Sequence, residues 1–390
     1  MRTTSLVLTL AALVACDEGG ASDPHEPTRR ALLESFADSY YLPTLETLVT
    51  ESRALEVAAG AYAASLSESD RAEAQARWVA TMEVAQRLEQ AQVGPAGLTF
   101  GVAGGTQGGE ERRYAIYSWP ANNPCRVDQE TVGEAHATPA GLAGVDNLAR
   151  GLDAIEYLLF SAEATNRCST ISSINADGTW AALEAEIPQR RATYAHSAAT
   201  LVAQEAEALR AQWTTESPSF RDELVRAGNG SATYATANQA VSAIYGGLLY
   251  VDTMVKDMKL GVPAGLVDGC TETNCPDARE SLFADRSISH VRANLEAIDR
   301  IWHGPADGTG FDDLLVAVGG AELAARIDAA IAEAETQAAA LEGSIPALLA
   351  ADPDALLPLF TAVKNLSDLL KTEGVVALDI HIVSVPMDND

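Results

Sequence analysis

The sequence predicts an all-α protein, built as two antiparallel helical-bundle halves with few short strands. Three observations predict it. Alanine, leucine and glutamate are abundant while aromatic residues make up only 6% of the 390 residues, a composition that suits helices better than sheets. Apolar residues recur at helical spacing in roughly ten stretches joined by short turns. Strand signals are few and short, and no internal repeat stands out. The chain is long enough for two domains of ordinary size. The Ser217-Pro-Ser219 turn is the best hinge between them, giving an N-terminal bundle over 29–216 and a C-terminal bundle over 217–390.

Taken in order, 1–15 reads as a lipoprotein signal peptide. Arg2 is the charged start, 5–14 is a short apolar run, and Leu13-Val-Ala-Cys16 resembles a bacterial lipoprotein cleavage box. Cys16 is then the lipidated first residue, and 16–28 is a polar tether to the membrane. No later stretch reaches the ~20 uninterrupted apolar residues of a spanning helix. A helical pattern covers 28–65, with Leu33, Phe36 and Tyr40 on one side, a kink at Pro43, and Leu45, Leu48 and Leu55 beyond it. Ser67 to Asp70 supplies capping residues, and a second helix runs to about 93 with Trp78, Met82 and Leu88 among its apolar positions. The glycine-rich 94–109 excludes a long regular element. The segment 113–120 reads as extended or as a turn of helix. Thr138-Pro139 is a helix start, and a further helix carries Asp153 and Glu156 to about 162. After a loop at 166–178, a long helix fills 179–215 with Pro188 near its start. Beyond the hinge, helices are expected over 219–227, 233–260, 277–302, 311–341 with a break at Gly319-Gly320, and 345–374 with interruptions near Pro353 and Pro358. The segment 375–385 is apolar and reads as extended.

Net charge is −29. A phosphate backbone needs a basic surface, so nucleic acid is excluded as a partner. The charge fits a soluble, self-repelling envelope protein that attracts cations. Four cysteines remain after Cys16, namely Cys125, Cys168, Cys270 and Cys275. An even number in an exported chain suggests disulfides, with three pairings open. Cys270 with Cys275 closes a tight loop, and Cys125 with Cys168 staples a long one. A metal site is the alternative, although no histidine lies at zinc-finger spacing.

The chemistry concentrates in 147–160. Leu148, Leu152, Ile155 and Leu159 mark one apolar face of a helix. Glu156 lies roughly 70° and Asp153 roughly 130° from the centre of that face, so Glu156 borders the core and Asp153 sits further out. Carboxylates three apart are neighbours and can chelate a hard cation through oxygen. The competing arrangement is a surface ion-pair ladder of Asp146, Arg150 and Asp153.

Gly151-Leu-Asp-Ala-Ile-Glu156, followed by Tyr-Leu-Leu-Phe, resembles the Gly-x-His-x-x-Glu signature of the imelysin family, with Gly151 as the motif glycine. These are cell-envelope proteins once classed as metallopeptidases and often linked to iron uptake. The family's histidine falls on Asp153 here. A second stretch, 280–298, resembles the family through Glu280, Ser281 and Ser287, and it includes His290. A third, 255–263, carries Lys256, Asp257 and Lys259. Ser118-Trp-Pro120 and Val127-Asp128 match weaker family positions. The resemblance covers roughly 30–385. It implies two bundle-like halves with the signature near a cleft, and a ligand set drawn from Asp153, Glu156, Glu280, Ser281, Ser287 and Asp257.

These features point to an envelope lipoprotein that binds a metal, divalent or ferric, and works with envelope iron-uptake partners on the periplasm-facing or outer surface. A metallopeptidase is the alternative, with Glu156 as general base, as is a partner-binding lipoprotein without metal. The signature histidine is missing, and the six histidines, His25, His136, His196, His290, His303 and His381, are scattered. A catalytic zinc usually takes three protein ligands, often imidazoles, so the chain leans away from an enzyme. A single site requires Asp153, Glu156, Glu280 and Ser287 to converge in the fold.

Overall fold

The structure, a computed structural model, describes residues 23–99, 105–161, 164–305 and 308–381. The signal peptide, Cys16 and most of the tether lie outside the described residues, as do 382–390. The fold is all-α; among the described residues the only extended pairing is an isolated bridge between Leu98 and Gly105. No helix of the described residues is long and apolar enough to cross a membrane.

The first helical stretch is α1 (Glu26–Glu34), a π-helical turn at Ser35–Tyr41, and α2 (Leu42–Ser65). Pro43 sits in the first turn of α2, where its missing N–H costs little. The expected kink is therefore resolved as a π turn just before the proline. Ser67 caps α3 (Glu68–Glu89) by accepting the Asp70 N–H at 3.2 Å. The helix carrying Asp153 and Glu156 is α4 (Leu152–Phe160), and the long helix is α5 (Ile187–Thr214), with Pro188 in its first turn. Past the Ser217–Ser219 turn come α6 (Ala237–Leu248), a π-helical segment at Val251–Gly261, and α7 (Ser287–His303). Then follow α8 (Ala321–Ala340), α9 (Leu357–Asp368) and a π turn at Leu369–Gly374.

Two expectations need correction here. The helix expected over 277–302 begins at Ser287, and 279–286 form a loop after one short turn at Pro276–Ala278. The apolar 375–385 is not extended at its start, where Val375–Ala377 continues the helix.

Helix α2 lies between α3 and α5, while α7 packs on α3, and α9 packs on α8 and on Val251–Gly261. The facing side of α5 is lined by Ala192, Ala195, Ala198, Ala199 and Ala206, all buried, so its backbone approaches its neighbours closely. One buried apolar cluster runs through both sides of the Ser217 turn, from Leu33 and Trp78 through Leu152 and Trp213 to Trp302 and Leu366.

Both disulfides pair neighbours in the manner the loops suggest, Cys125 with Cys168 and Cys270 with Cys275. The first spans 43 residues. The loop it closes places the Arg167 N–H on Asp128 Oδ2 at 2.7 Å, beneath which Tyr157 and Arg191 also meet Asp128. We expect the Cys125→Ser/Cys168→Ser variant to lose about 2–4 kcal/mol of unfolding free energy, read from urea midpoints. A loss under about 1 kcal/mol would show that the loop is held by its hydrogen bonds alone.

Candidate functional site

Gly151 begins the site. Its φ is +83°, and a Cβ there would sit 2.9 Å from the Ile116 carbonyl oxygen. Only glycine allows this close approach. The approach sets the 115–119 segment against the start of α4, and the Trp78 indole N–H pins that start by donating to the Leu152 carbonyl at 2.8 Å.

Asp153 is consequently buried. Its Oδ2 accepts the Ser118 N–H at 2.7 Å, the Ser118 hydroxyl at 3.0 Å and the Trp119 N–H at 3.1 Å. This corrects the outward placement expected for Asp153. Leu148 does not belong to the helix; it lies in a separate turn, 38% exposed, so the true core face is rotated toward the carboxylates. The Asp146–Arg150–Asp153 ladder does not form. Asp146 accepts the Leu148 N–H, and Arg150 donates to Asn147 and to the Ala143 carbonyl.

Glu156 is equally buried. Its Oε1 accepts the Ser281 hydroxyl at 2.8 Å, the Phe283 N–H at 3.0 Å and the Ala284 N–H at 2.8 Å. The irregular 279–286 loop, rather than a helix, is what aims these N–H groups, because helical N–H groups would be committed to the preceding turn. Ser287 Oγ accepts the Ser281 N–H at 3.2 Å and fixes the loop. Burial pushes the Asp153 and Glu156 carboxyls up to about 7, against the lowering pull of their donors. Neither has an ion-pair partner among the described residues.

Glu280 is the opposite case. Its Oε1 accepts from Gln86 Nε2 at 2.9 Å, from the Tyr117 hydroxyl, and pairs with Lys259 Nζ at 3.1 Å. Its Oε2 lies 3.0 Å from His290 Nδ1. Burial opposes its ionised form, but the Lys259 and His290 charges outweigh burial and hold the carboxyl far below the usual range. Lys259 is fully buried and also donates to Gln86, Glu89 and Asn294. Glu89 pairs in turn with Arg113.

The structure thus brings together Asp153, Glu156, Glu280, Ser281, Ser287 and His290 from two distant stretches, 153–156 and 280–290. Asp257 joins a different group. It faces Lys256 at 3.2 Å, and Lys256 also pairs with Asp252, which Lys371 meets at 3.2 Å. The sequence reading missed Glu89, Gln86, Tyr117 and Asn294. One signal was present: Trp78, Met82, Ala85 and Glu89 follow one helical stripe, so a carboxylate lay on a core face.

The donors available to an ion are oxygens. Asp153 and Glu156 each use one oxygen in their hydrogen bonds, leaving Glu156 Oε2 and Asp153 Oδ1 without a donor among the described residues. No three His, Cys, Asp or Glu side chains among those residues are gathered to hold one ion. This donor set does not fit a catalytic zinc held by three protein ligands.

Comparison with known proteins adds the family. The family model described as Imelysin matches residues 41–372. Iron-regulated protein A of Synechococcus elongatus is 24% identical over 274 residues, which are 70% of this chain and 64% of that protein, so the chain spans less than two thirds of that relative. A candidate iron-regulated protein A precursor from Parabacteroides distasonis superposes with a TM-score of 0.70 at 18% identity, over 93% of this chain and 97% of its own. An imelysin-like protein from Psychrobacter arcticum gives a TM-score of 0.69 at 15% identity, over 94% and 99%. With the Gly151–Glu156 motif built into a site by the Ser118 and Ser281 segments, and with a family model spanning most of its length, this chain belongs to the imelysin family.

Proposed function

We propose that the protein is an envelope lipoprotein, anchored through Cys16, that binds a metal cation in the service of iron acquisition. The observation that carries this reading is the Asp153–Glu156 pair. Two neighbouring carboxyls are buried with hydrogen-bond donors but no ion-pair partner among the described residues, so the pair takes up either a proton or a positive ion. The strongly acidic surface raises the local concentration of cations. The relative from Synechococcus is named for regulation by iron, which supports the physiological half. The cation is cargo, held through Glu156 Oε2 and Asp153 Oδ1 with water completing its shell, and envelope iron-uptake proteins are its partners.

Calorimetric titration of the purified protein with ferrous ion, under anaerobic conditions, tests this. Because the cation competes with a proton, affinity is expected to rise between pH 6 and pH 8. Glu156→Gln and Asp153→Asn are each expected to weaken it at least about tenfold, the loss of one charged ligand. Binding indifferent to both substitutions, or none at all, overturns the metal reading and leaves a partner-binding lipoprotein.

One observation favours a second reading, a metallopeptidase. A carboxyl held near 7, as at Glu156, suits a general base at neutral pH. Cleavage of a peptide library that vanishes in Glu156→Gln would establish it; cleavage independent of Glu156 would remove it.

A further inference from the structure

We propose that His303 is a proton-operated clasp: it ties the C-terminal end of α7 to α8 while its ring carries two protons, and it lets go when one is lost. His303 is the last residue of α7. Its Nδ1 lies 3.0 Å from Asp299 Oδ1, one turn back on the same helix, and its Nε2 lies 3.3 Å from Asp328 Oδ1 on α8. A neutral imidazole carries a single N–H and donates on one edge only. Its other nitrogen then turns a lone pair toward a carboxylate oxygen. Only the imidazolium donates to both helices at once. The end of α7 favours that charge as well, because the last carbonyls of a helix form its negative pole. The buried Trp302 holds Asp328 in place, since its indole N–H donates to the same Oδ1 at 2.7 Å.

The surroundings of His303 are acidic on every side. Helix α7 contributes Asp299, with Glu296 and Arg300 further back. The short helix Phe311–Ala317, which packs on both α7 and α8, contributes Asp312 and Asp313, and α8 contributes Asp328 and Glu335. No lysine or arginine pairs with Asp299, Asp312, Asp328 or Glu335 among the described residues. Arg300 meets Glu296 at 4.0 Å and stands over the Tyr40 ring at 5.6 Å. Asp313 accepts the Gly310 N–H at 3.1 Å, while Asp312 Oδ1 is buried with no hydrogen-bond partner among the described residues. Burial opposes a charge on His303, but Asp299, Asp312 and Asp328 outweigh it and raise the imidazole above its ordinary value. A folded value above the unfolded one sets the sign. The contribution of the clasp is full below pH 6.5 and is lost as pH rises through the folded value. Deprotonation leaves carboxylates from three helices without a counter-charge between them, so the corner loosens on the alkaline side.

NMR titration of the His303 ring in the full mature chain tests the clasp, with the resonance assigned through His303→Gln. The ring is expected to titrate above pH 6.5, and Asp299→Asn and Asp328→Asn are each expected to move its midpoint down. The Trp302 indole N–H resonance is expected to shift with the same midpoint as the ring, because both groups share Asp328 Oδ1. Across that midpoint, protection of the 298–304 and 311–317 amides against hydrogen exchange is expected to fall about two- to fivefold, the worth of one charged contact at a helix end. His303→Gln, which does not titrate, is expected to abolish both pH dependences. Where His303→Gln fails to fold, Asp328→Asn serves, and the midpoints of ring and protection are expected to move down together. A ring that titrates at or below pH 6.5, or a midpoint indifferent to both aspartate variants, overturns the imidazolium. A raised midpoint with Trp302 and amide protection unmoved across it overturns the clasp, as does an equal fall of protection in His303→Gln.

Discussion

Lys259→Met is expected to lower the unfolding free energy by about 4–5 kcal/mol, read from chemical denaturation at pH 7.5. The ammonium is fully buried and serves four acceptors, the carboxylates of Glu89 and Glu280 and the side-chain oxygens of Gln86 and Asn294. Methionine matches its length and removes its charge. Glu89 then keeps Arg113 and the Asn294 amide, and Glu280 keeps His290, Tyr117 and Gln86. Removing one member of a buried ion pair leaves a charge without compensation, and that residue of charge is what costs. The double variant Lys259→Met/Glu280→Gln is expected to recover a good part of the loss. A single variant within about 1 kcal/mol of the parent would mean that Lys259 is not the counter-charge of this core.

Glu156 carries the second large effect, and its size depends on pH. Glu156→Ala strands the Ser281 hydroxyl and the Phe283 and Ala284 N–H groups and opens a cavity, at a cost of about 4 kcal/mol. Glu156→Gln keeps an acceptor oxygen and separates charge from shape. The folded carboxyl titrates near 7 and the unfolded one near 4.5. Between these values the folded state holds the extra proton, so the stabilising contribution is full below about pH 4.5 and is lost as pH rises to 7. Each bound proton gives a slope of about 1.4 kcal/mol per pH unit. Asp153 adds a slope of the same sign. Glu280, held low, acts the other way, and its contribution is lost only on acidification below the usual glutamate range. The difference between Glu156→Gln and the parent is therefore expected to narrow from pH 5 to pH 7 and to flatten above it. A difference constant with pH would show that the Glu156 carboxyl ionises normally.

Much of this site was legible, and the misses have physical causes. Glycine at 151, the carboxylates at 153 and 156, and Glu280, Ser281 and Ser287 were named from residue pattern and resemblance, and the fold joins all of them. Periodicity misplaced Asp153 because it counted Leu148 into the helix, whereas the backbone at Gly151 breaks the regular turn and starts a new one. The 279–286 loop was read as helix because its residues favour helices locally. Tertiary demand won: only a non-helical backbone frees N–H groups to meet a buried Glu156. Tyr117, Gln86 and Asn294 gave no local signal at all, since each acts through a partner more than 100 residues away. Glu89 did give one, a charge on an otherwise apolar stripe of α3.

The π turn at Ser35–Tyr41 makes residue number itself a structural quantity in the first helix. A π turn holds one residue more than an α turn for nearly the same advance along the axis. Deleting any one residue from it would restore an ordinary helix and swing everything upstream by about 100° about the axis. Leu32 and Leu33 would then leave the interior they now share with Leu45 and Leu48. Point substitutions in this turn should be tolerated far better than single-residue deletions, and the length of the segment, more than its composition, should be what natural variation in this chain preserves.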